Sequence, residues 1–317
     1  CGSMDLRKRI GGEKEEFMAK WDKEYLKLCK KILTEGVEVE NRTGVNTIKI
    51  PSYMLEFDLQ EEFPVLTTKQ LFFKNAITEI LWIYQAQSND VRWLQERNNH
   101  VWDEWEIDEE GYWHATQMLP GKDGKLEKVQ VDKFFGPEWA HTIGTAYGWI
   151  VNRYKLMDKL LNQIKNNPRD RRMVISLWQD AHIDTAVLPS CVWSSEWDVT
   201  EDKINLWVHQ RSCDVPLGLP FNVTQYATLL SLVAHCTGYK PGKINWSIKD
   251  AHIYVNQVDG IKEQIKRGEE LEDLPAPELW INPEVTDFYD IDNSRELKDI
   301  KVLKYQHHGK ISFPIAQ

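Results

Sequence analysis

SSEWDVTEDKINLWVHQ, residues 194–210, reads as two strands and the turn between them. Polar and apolar residues alternate on either side of the polar turn Thr200–Lys203. A period of two matches strands that show one face to a core, and the short polar link matches an antiparallel hairpin. The hairpin has a chemical consequence. Arg211, just past the second strand, returns toward the start of the first, where LPSCVW (188–193) holds Cys191.

Working outward, RRMVISLW (171–178) and DAHIYV (250–255) read as further strands, and NRTGVNTIKI (41–50) as a turn leading into one. Residues 13–36 read as a helix, with Phe17, Trp21, Tyr25, Leu28 and Ile32 on one face and Gly36 as its stop. Residues 70–86 read as a buried, mostly apolar helix, 152–167 as a helix ended before Pro168, and 223–236 as an apolar helix. Residues 106–136 are acidic, glycine-rich and weakly periodic, and read as a smaller excursion from one domain spanning 4–317. Cys1-Gly2-Ser3 ahead of Met4 reads as a cloning remnant. Strands and helices mix without a regular βαβ alternation. The expected class is therefore α+β: a large mixed or antiparallel sheet covered by helices.

The chain has 317 residues and a net charge of −10, from 39 Lys+Arg against 49 Asp+Glu. That excess of acid argues against nucleic-acid and anionic-membrane partners, so any anion must be held by a local arginine cluster. The five cysteines are widely spaced with no CxxC, which fits a reducing, cytoplasmic setting and argues against a zinc site or disulfide framework. No run of 18 apolar residues predicts a membrane span, and the N-terminus carries no signal-peptide pattern.

Several residues could carry chemistry. Taken alone, Cys191 fits a packed core thiol better than a nucleophile, because free cysteine is among the most buried residue types. A nucleophile needs a cationic, partly exposed setting, which Arg211 would supply. Arg42, Arg171 and Arg172 stand in loops, where arginines are commonly solvated. Together with Arg211 they could also converge on one phosphate, since guanidinium forks match phosphate oxygens. Glu79 sits inside the apolar TEILWIY, where a carboxylate is either paired or kept as an acid with a raised pKa; the second is favoured. QRSCDVPLGLPFNVTQYATLL (210–230) gathers Arg211, Ser212, Asp214 and Asn222 around a rigid turn. The Asn222 amide could read adjacent C=O and N–H groups of a pyrimidine, but the local pattern favours an N-cap for the following helix.

Nine motifs in one order resemble the folate-dependent thymidylate synthase family. They are NRTG (41–44), FPVLTTK (63–69), EILW (79–82), VWDEW (101–105), DRRMVISLWQ (170–179), LPSC (188–191), QRSCDVPLGLPFN (210–222), DAHIYVNQ (250–257) and FPIA (313–316). The resemblance implies reductive methylation of dUMP to dTMP, with 5,10-methylenetetrahydrofolate as donor of carbon and hydride, no metal, and dihydrofolate as the second product. It implies Cys191 as nucleophile, with Glu79, Tyr147, Asp214 and Asn222 as the other catalytic residues. It assigns dUMP to Arg42, Arg171, Arg172, Arg211, Ser212, Cys213, Asp214, Asn222, His252 and Tyr254, and folate to Lys69, Trp102, Trp105, Asp214 and Ala316. It further implies an obligate homodimer that packs sheet face on sheet face, with Arg171 and Arg172 reaching the partner's phosphate site. The chain departs from the family at Val192, where a histidine often follows the cysteine, at Phe72, at GWIVNRY (148–154) and at Gln317.

Two alternatives remain at this point. A deoxyuridylate hydroxymethylase on the same scaffold would end the reaction with water instead of hydride. A non-catalytic nucleotide- or RNA-binding protein would keep the arginines and leave the thiol idle.

Overall fold

Trp21, Tyr25, Leu28 and Ile32 are all buried along one side of α1 (Lys20–Glu35), as an amphipathic stripe requires. The computed structural model describes residues 19–121 and 126–315. The expected remnant at 1–3, the start of the 13–36 helix, and the tail residues Ala316 and Gln317 lie outside the described residues. After α1 come β1 (Val37–Val39), β2 (Thr47–Asp58), α2 (Phe73–Tyr84), the single turn α3 (Arg92–Gln95), and the hairpin β3 (Tyr112–Pro120) and β4 (Leu126–Phe134). Next are α4 (Gly148–Tyr154), α5 (Leu156–Asn166), β5 (Val174–Ser176), β6 (Val192–Thr200), β7 (Lys203–Gln210) and β8 (Cys213–Asp214). The chain continues with α6 (Gly218–Thr237), β9 (Lys240–Tyr254), α7 (Val258–Glu270) and the pair β10 (Glu278–Ile281) and β11 (Ile300–Leu303).

Six strands lie in the order β1-β2-β9-β7-β6-β5, and β8 adds to β9 as the seventh. The expected hairpin forms, with Glu196 opposite Trp207 and Thr200 opposite Lys203. β7 and β9 are parallel, while β2–β9, β6–β7 and β5–β6 are antiparallel. The parallel pair arises because α6 crosses from the end of β7 back to the start of β9. α6 is apolar on nearly every side and is buried from Leu219 to Cys236 with few gaps, as befits a helix enclosed by sheet and neighbours. α2 packs on it, and the Tyr84 and Tyr226 hydroxyls meet at 2.8 Å.

The other face of the sheet carries exposed Met54, Val174, Trp193 and Trp207. Trp207 stacks on His209 with centroids 5.9 Å apart, and Trp193 lies 5.7 Å from the same ring. Residues 106–136 hold β3 and β4, a two-stranded sheet apart from the main one, rooted on Ile107, Trp113, Ala115 and Val187.

Four expectations change. α6 begins at Gly218, so Asn222 lies in its second turn and caps nothing. Pro220 does not stop the helix, because first-turn N–H groups need no intrahelical acceptor. The 152–167 helix is two helices, divided at Lys155, which is left-handed at φ 53°. The 250–255 strand starts at Lys240, ten residues earlier, and the 171–178 strand shrinks to Val174–Ser176.

One buried acid ties these layers together. Asp22, fully buried in α1, accepts from the backbone N–H and the hydroxyl of both Thr67 and Thr68, at 2.7–3.1 Å. It thereby fixes the loop that carries Lys69. Asp22→Ala strands four buried donors, and we expect a loss of about 3 kcal/mol in denaturant unfolding followed by tryptophan fluorescence. An unchanged midpoint would contradict that role.

Candidate active site

The β6–β7 hairpin builds the centre. Its pairing shifts register between Val192 and Ser194, a bulge at the sheet rim that sends Trp193 outward and leaves Cys191 at the strand's entrance. Arg211 follows β7, and its backbone N–H donates to the Cys191 carbonyl at 2.9 Å. Its guanidinium donates to the carbonyls of Ser190 (3.0 Å) and Pro189 (2.7 Å) and stands 3.9 Å from Cys191 Sγ. The Trp178 ring lies 5.6 Å from the same cation. Cys191 is partly exposed. Burial nevertheless pushes its thiol pKa up, while Arg211 first and then Arg42 oppose the rise. Val192 is buried and points into the core, so no imidazole adjoins the sulfur in sequence.

A second set of groups continues from the cysteine. The Cys191 N–H donates to the Tyr147 hydroxyl at 3.1 Å. Tyr147 sits at φ 45°, ψ −108°, a left-handed conformation that a bulky residue rarely adopts. Gly148 must be glycine, because a Cβ there would lie 2.0 Å from the Ser88 carbonyl. The Tyr147 ring meets Trp102 edge-on at 5.3 Å, and Trp105 meets Trp102 at 5.4 Å. Trp102 Nε1 donates to Glu79 Oε1 at 2.9 Å. Burial raises the Glu79 carboxyl to about 7 against that hydrogen bond, so the carboxyl is both paired and raised.

Amides line the next edge. Trp246 Nε1 donates to Gln210 Oε1 (3.0 Å), Gln210 Nε2 to Asn222 Oδ1 (3.1 Å), and Asn222 Nδ2 to Gln225 Oε1 (3.0 Å). Gln225 Nε2 is buried with no hydrogen-bond partner of good geometry, but stands close enough to Glu79 to favour its carboxylate as a weak donor. Asn222 thus keeps one N–H and one lone pair free.

β8 brings Cys213 and Asp214 beside Ala251 and His252 of β9. Cys213 is fully buried and burial drives its thiol far up, so it contributes backbone and not a reactive sulfur. Burial also raises Asp214, whose Oδ1 accepts the Leu217 N–H at 3.0 Å. His252 Nδ1 lies 3.1 Å from Asp250 Oδ1, and its ring meets Tyr254 edge-on at 5.3 Å. Arg42 is exposed in the turn before β2, and Ser212 is half-buried beside Arg211. Arg171 and Arg172 are exposed just before β5, where Arg172 pairs with Asp170. The single chain does not bring these two to Cys191. Lys69 is buried, with its ammonium on the Pro216 carbonyl and 4.6 Å from the Phe313 ring. Burial lowers it to about 8 although Asp214 opposes the change.

A cysteine held beside an arginine, with a raised carboxyl and a free amide edge nearby, is a setting for nucleophilic attack on a polar ring. The family model for thymidylate synthase matches residues 23–317. The chain belongs to the thymidylate synthase family. It is 44% identical to a thymidylate synthase of Clostridium beijerinckii, over 94% of this chain and 100% of the relative. It is 36% identical to thymidylate synthase 1 of Bacillus spizizenii at the same coverage. The solved thermostable thymidylate synthase A from Bacillus subtilis superposes with a TM-score of 0.77 at 35% identity, over 94% of this chain and 99% of that one. The protein is accordingly a methyltransferase of the thymidylate synthase class, which methylates dUMP to dTMP with methylenetetrahydrofolate as co-substrate. Among the described residues no helix is long and apolar enough to cross a membrane, and no cluster of three or more His, Cys, Asp or Glu could hold a metal ion.

The sequence reading overlooked Gln210, Gln225 and Gln257. Gln225 had a signal: it lies three residues after Asn222 on an otherwise apolar helix. Gln210 and Gln257 lay inside quoted motifs, but their partners are 36 and 43 residues away.

Trp102→Phe keeps the ring and removes the donor on Glu79. A hydrogen bond to the carboxylate favours the charged form, so its loss raises the Glu79 pKa above its value of about 7. The acidic limb of the pH–rate profile should move to higher pH, with kcat down ~10-fold. A limb that stays in place would separate Glu79 from the titration.

Proposed function

We propose that this chain makes dTMP from dUMP with methylenetetrahydrofolate as donor of carbon and hydride, and that the second product is dihydrofolate. The observation that carries this reading is the Arg211 guanidinium locked 3.9 Å from Cys191 Sγ. As a thiolate, Cys191 adds to C6 of the uracil ring, and the electron pair moves through C5 to the C4 carbonyl. The free N–H of Asn222 meets O4 and its free lone pair accepts N3–H, which matches the edge of uracil. The ring thereby becomes nucleophilic at C5. Bound methylenetetrahydrofolate supplies the one-carbon unit and the hydride. The Trp102–Trp105 wall and the unpartnered Gln225 Nε2 suit a flat ring with polar edges. Glu79, near neutrality, moves protons between ordered water and the substrate carbonyl. Tyr147 takes part in removing the C5 proton, after which Cys191 leaves C6 with its bonding pair and is restored.

Arg42, Arg211 and Ser212 hold the phosphate, and His252 and Tyr254 hold the ribose. We assign the remaining arginines to a shared site: the open Trp193–Trp207 face packs on a second copy, and Arg171 and Arg172 reach that copy's phosphate. The widely spaced cysteines without a CxxC support a cytoplasmic setting for the reaction.

Intact-mass measurement after incubation with 5-fluoro-dUMP and methylenetetrahydrofolate is expected to show a covalent ternary adduct mapping to Cys191, and none in Cys191→Ala. Failure to form it in the unaltered chain would overturn the nucleophile assignment. Appearance of dihydrofolate with product distinguishes methylation from hydroxymethylation. The shared site is tested by mixing. Cys191→Ala and the double variant Arg171→Ala/Arg172→Ala are each inactive, and subunit exchange should restore ~25% of activity, because half the dimers are hybrids with one intact site of two. No restoration would place both arginines outside the partner's site.

A further inference from the structure

Gln257 ends the short turn between β9 and α7, and its side chain is 1% exposed. It touches three segments at once. Its Oε1 accepts the Tyr254 backbone N–H at 3.1 Å. A backbone N–H can only donate, so this contact decides which end of the amide is oxygen. Nε2 then faces two acceptors, Asp214 Oδ2 at 3.2 Å and the Pro314 carbonyl at 3.1 Å. An amide NH2 carries two N–H bonds, one for each.

Both acceptors depend on this donor. Pro314 has no N–H, so its carbonyl is the residue's sole hydrogen-bonding group. The preceding tail is already constrained. His308 N–H donates to the Thr67 carbonyl at 2.9 Å, and Arg267 Nη1 donates to the carbonyls of His308 (2.9 Å) and Gly309 (3.2 Å). Phe313 is buried against Gly260, where an added Cβ would lie 2.5 Å from the ring, and its face meets the Lys69 ammonium. The Gln257 contact is the last hydrogen bond of the tail among the described residues. Asp214 has Leu217 N–H on Oδ1 and Gln257 on Oδ2.

We propose that Gln257 is a positioning residue that registers the C-terminal tail against Asp214, so that seating of the tail and orientation of the Asp214 carboxylate are set together. It touches no reacting atom. The inference rests on the functional reading above, taken with the family resemblance, which assigns both Asp214 and the tail residue Ala316 to the folate. A purely structural role, holding the turn through Oε1, makes a different prediction. Gln257→Glu keeps that acceptor for the Tyr254 N–H but turns the donor end into an oxygen facing a carboxylate and a carbonyl.

The test uses the full chain, Gln257→Glu, the size-matched apolar Gln257→Met, and each substitution in a background truncated after Phe313. We expect kcat/KM for methylenetetrahydrofolate to fall ~10- to 100-fold in both variants, as for loss of hydrogen bonds to a charged group, with the dUMP dissociation constant within ~2-fold of the unaltered chain in Gln257→Glu, which keeps the acceptor for the Tyr254 N–H. Release of tail residues by carboxypeptidase, with dUMP present, should accelerate ~10-fold, following the lost latch. In the truncated background the substitutions should cost clearly less than in the full chain, since the Pro314 contact is already gone and only the Asp214 contact remains to be lost. Gln257→Met carries the test if Gln257→Glu fails to fold. Equal losses in full-length and truncated backgrounds, an unchanged release rate, or unaltered kinetics in Gln257→Glu would each overturn the proposal. Should the unaltered chain make no dTMP, the functional reading fails, and the tail-release comparison still judges Gln257.

Discussion

Arg211 is the constraint on which the site depends. The two strands of the hairpin fix its backbone opposite Cys191, and the Pro189 and Ser190 carbonyls fix its side chain. Arginine is suited to this position because its planar fork can hold two carbonyls and still present N–H groups elsewhere. A lysine would be a point charge on a flexible stem, free to leave the sulfur. The PS dipeptide before Cys191 therefore supplies more than rigidity: its carbonyls are the cradle for the cation. With Val192 buried in the core, the thiolate relies on Arg211 and Arg42 against the upward push of burial. In the proposed function, these two cations are what favours the thiolate over the thiol.

The acidic chain also keeps several charges inside, and each has a defined partner set. Asp22 accepts from four donors on the Thr67–Thr68 loop. Lys69, next on that loop, is buried against Phe313 and the Pro216 carbonyl, with Asp214 opposing its neutralisation. Buried charges of this kind are costly unless satisfied. Their reward here is placement: α1 fixes a loop, the loop fixes Lys69, and Lys69 braces the tail and the Asp214 turn from beneath.

What was legible in the sequence follows from how local each signal is. The β6–β7 hairpin could be read from alternation alone, and it already implied the Arg211–Cys191 approach. Glu79 stood out because a carboxylate in an apolar helix has few explanations. The start of α6 was missed because Gly218 and Pro220 look like turn residues, although both are tolerated in a first helical turn. The first half of β9 was missed for a similar reason, since Pro241 and Gly242 mask a strand whose pairing comes from distant β2 and β7. The break at Lys155 has no sequence signature, because an ordinary lysine there takes a left-handed conformation. Arg171 and Arg172 read as phosphate ligands by resemblance, yet one chain leaves them at the far edge of the sheet.

The amide edge shows how a neutral network can carry direction. Trp246 can only donate, so Gln210 must present its oxygen to the indole and its NH2 to Asn222. Asn222 must then present oxygen to Gln210 and NH2 to Gln225. One donor-only group at the buried end thus sets the orientation of three amides in turn. The free donor and free lone pair left on Asn222 are fixed in sense before any ligand binds. A cytosine edge, which reverses the donor at the exocyclic position, meets the wrong polarity, and turning Asn222 over would break two hydrogen bonds in a buried region. In the proposed function, preference for uracil is therefore held by Trp246 and Gln210 as much as by Asn222 itself, since all three share one direction of hydrogen bonding.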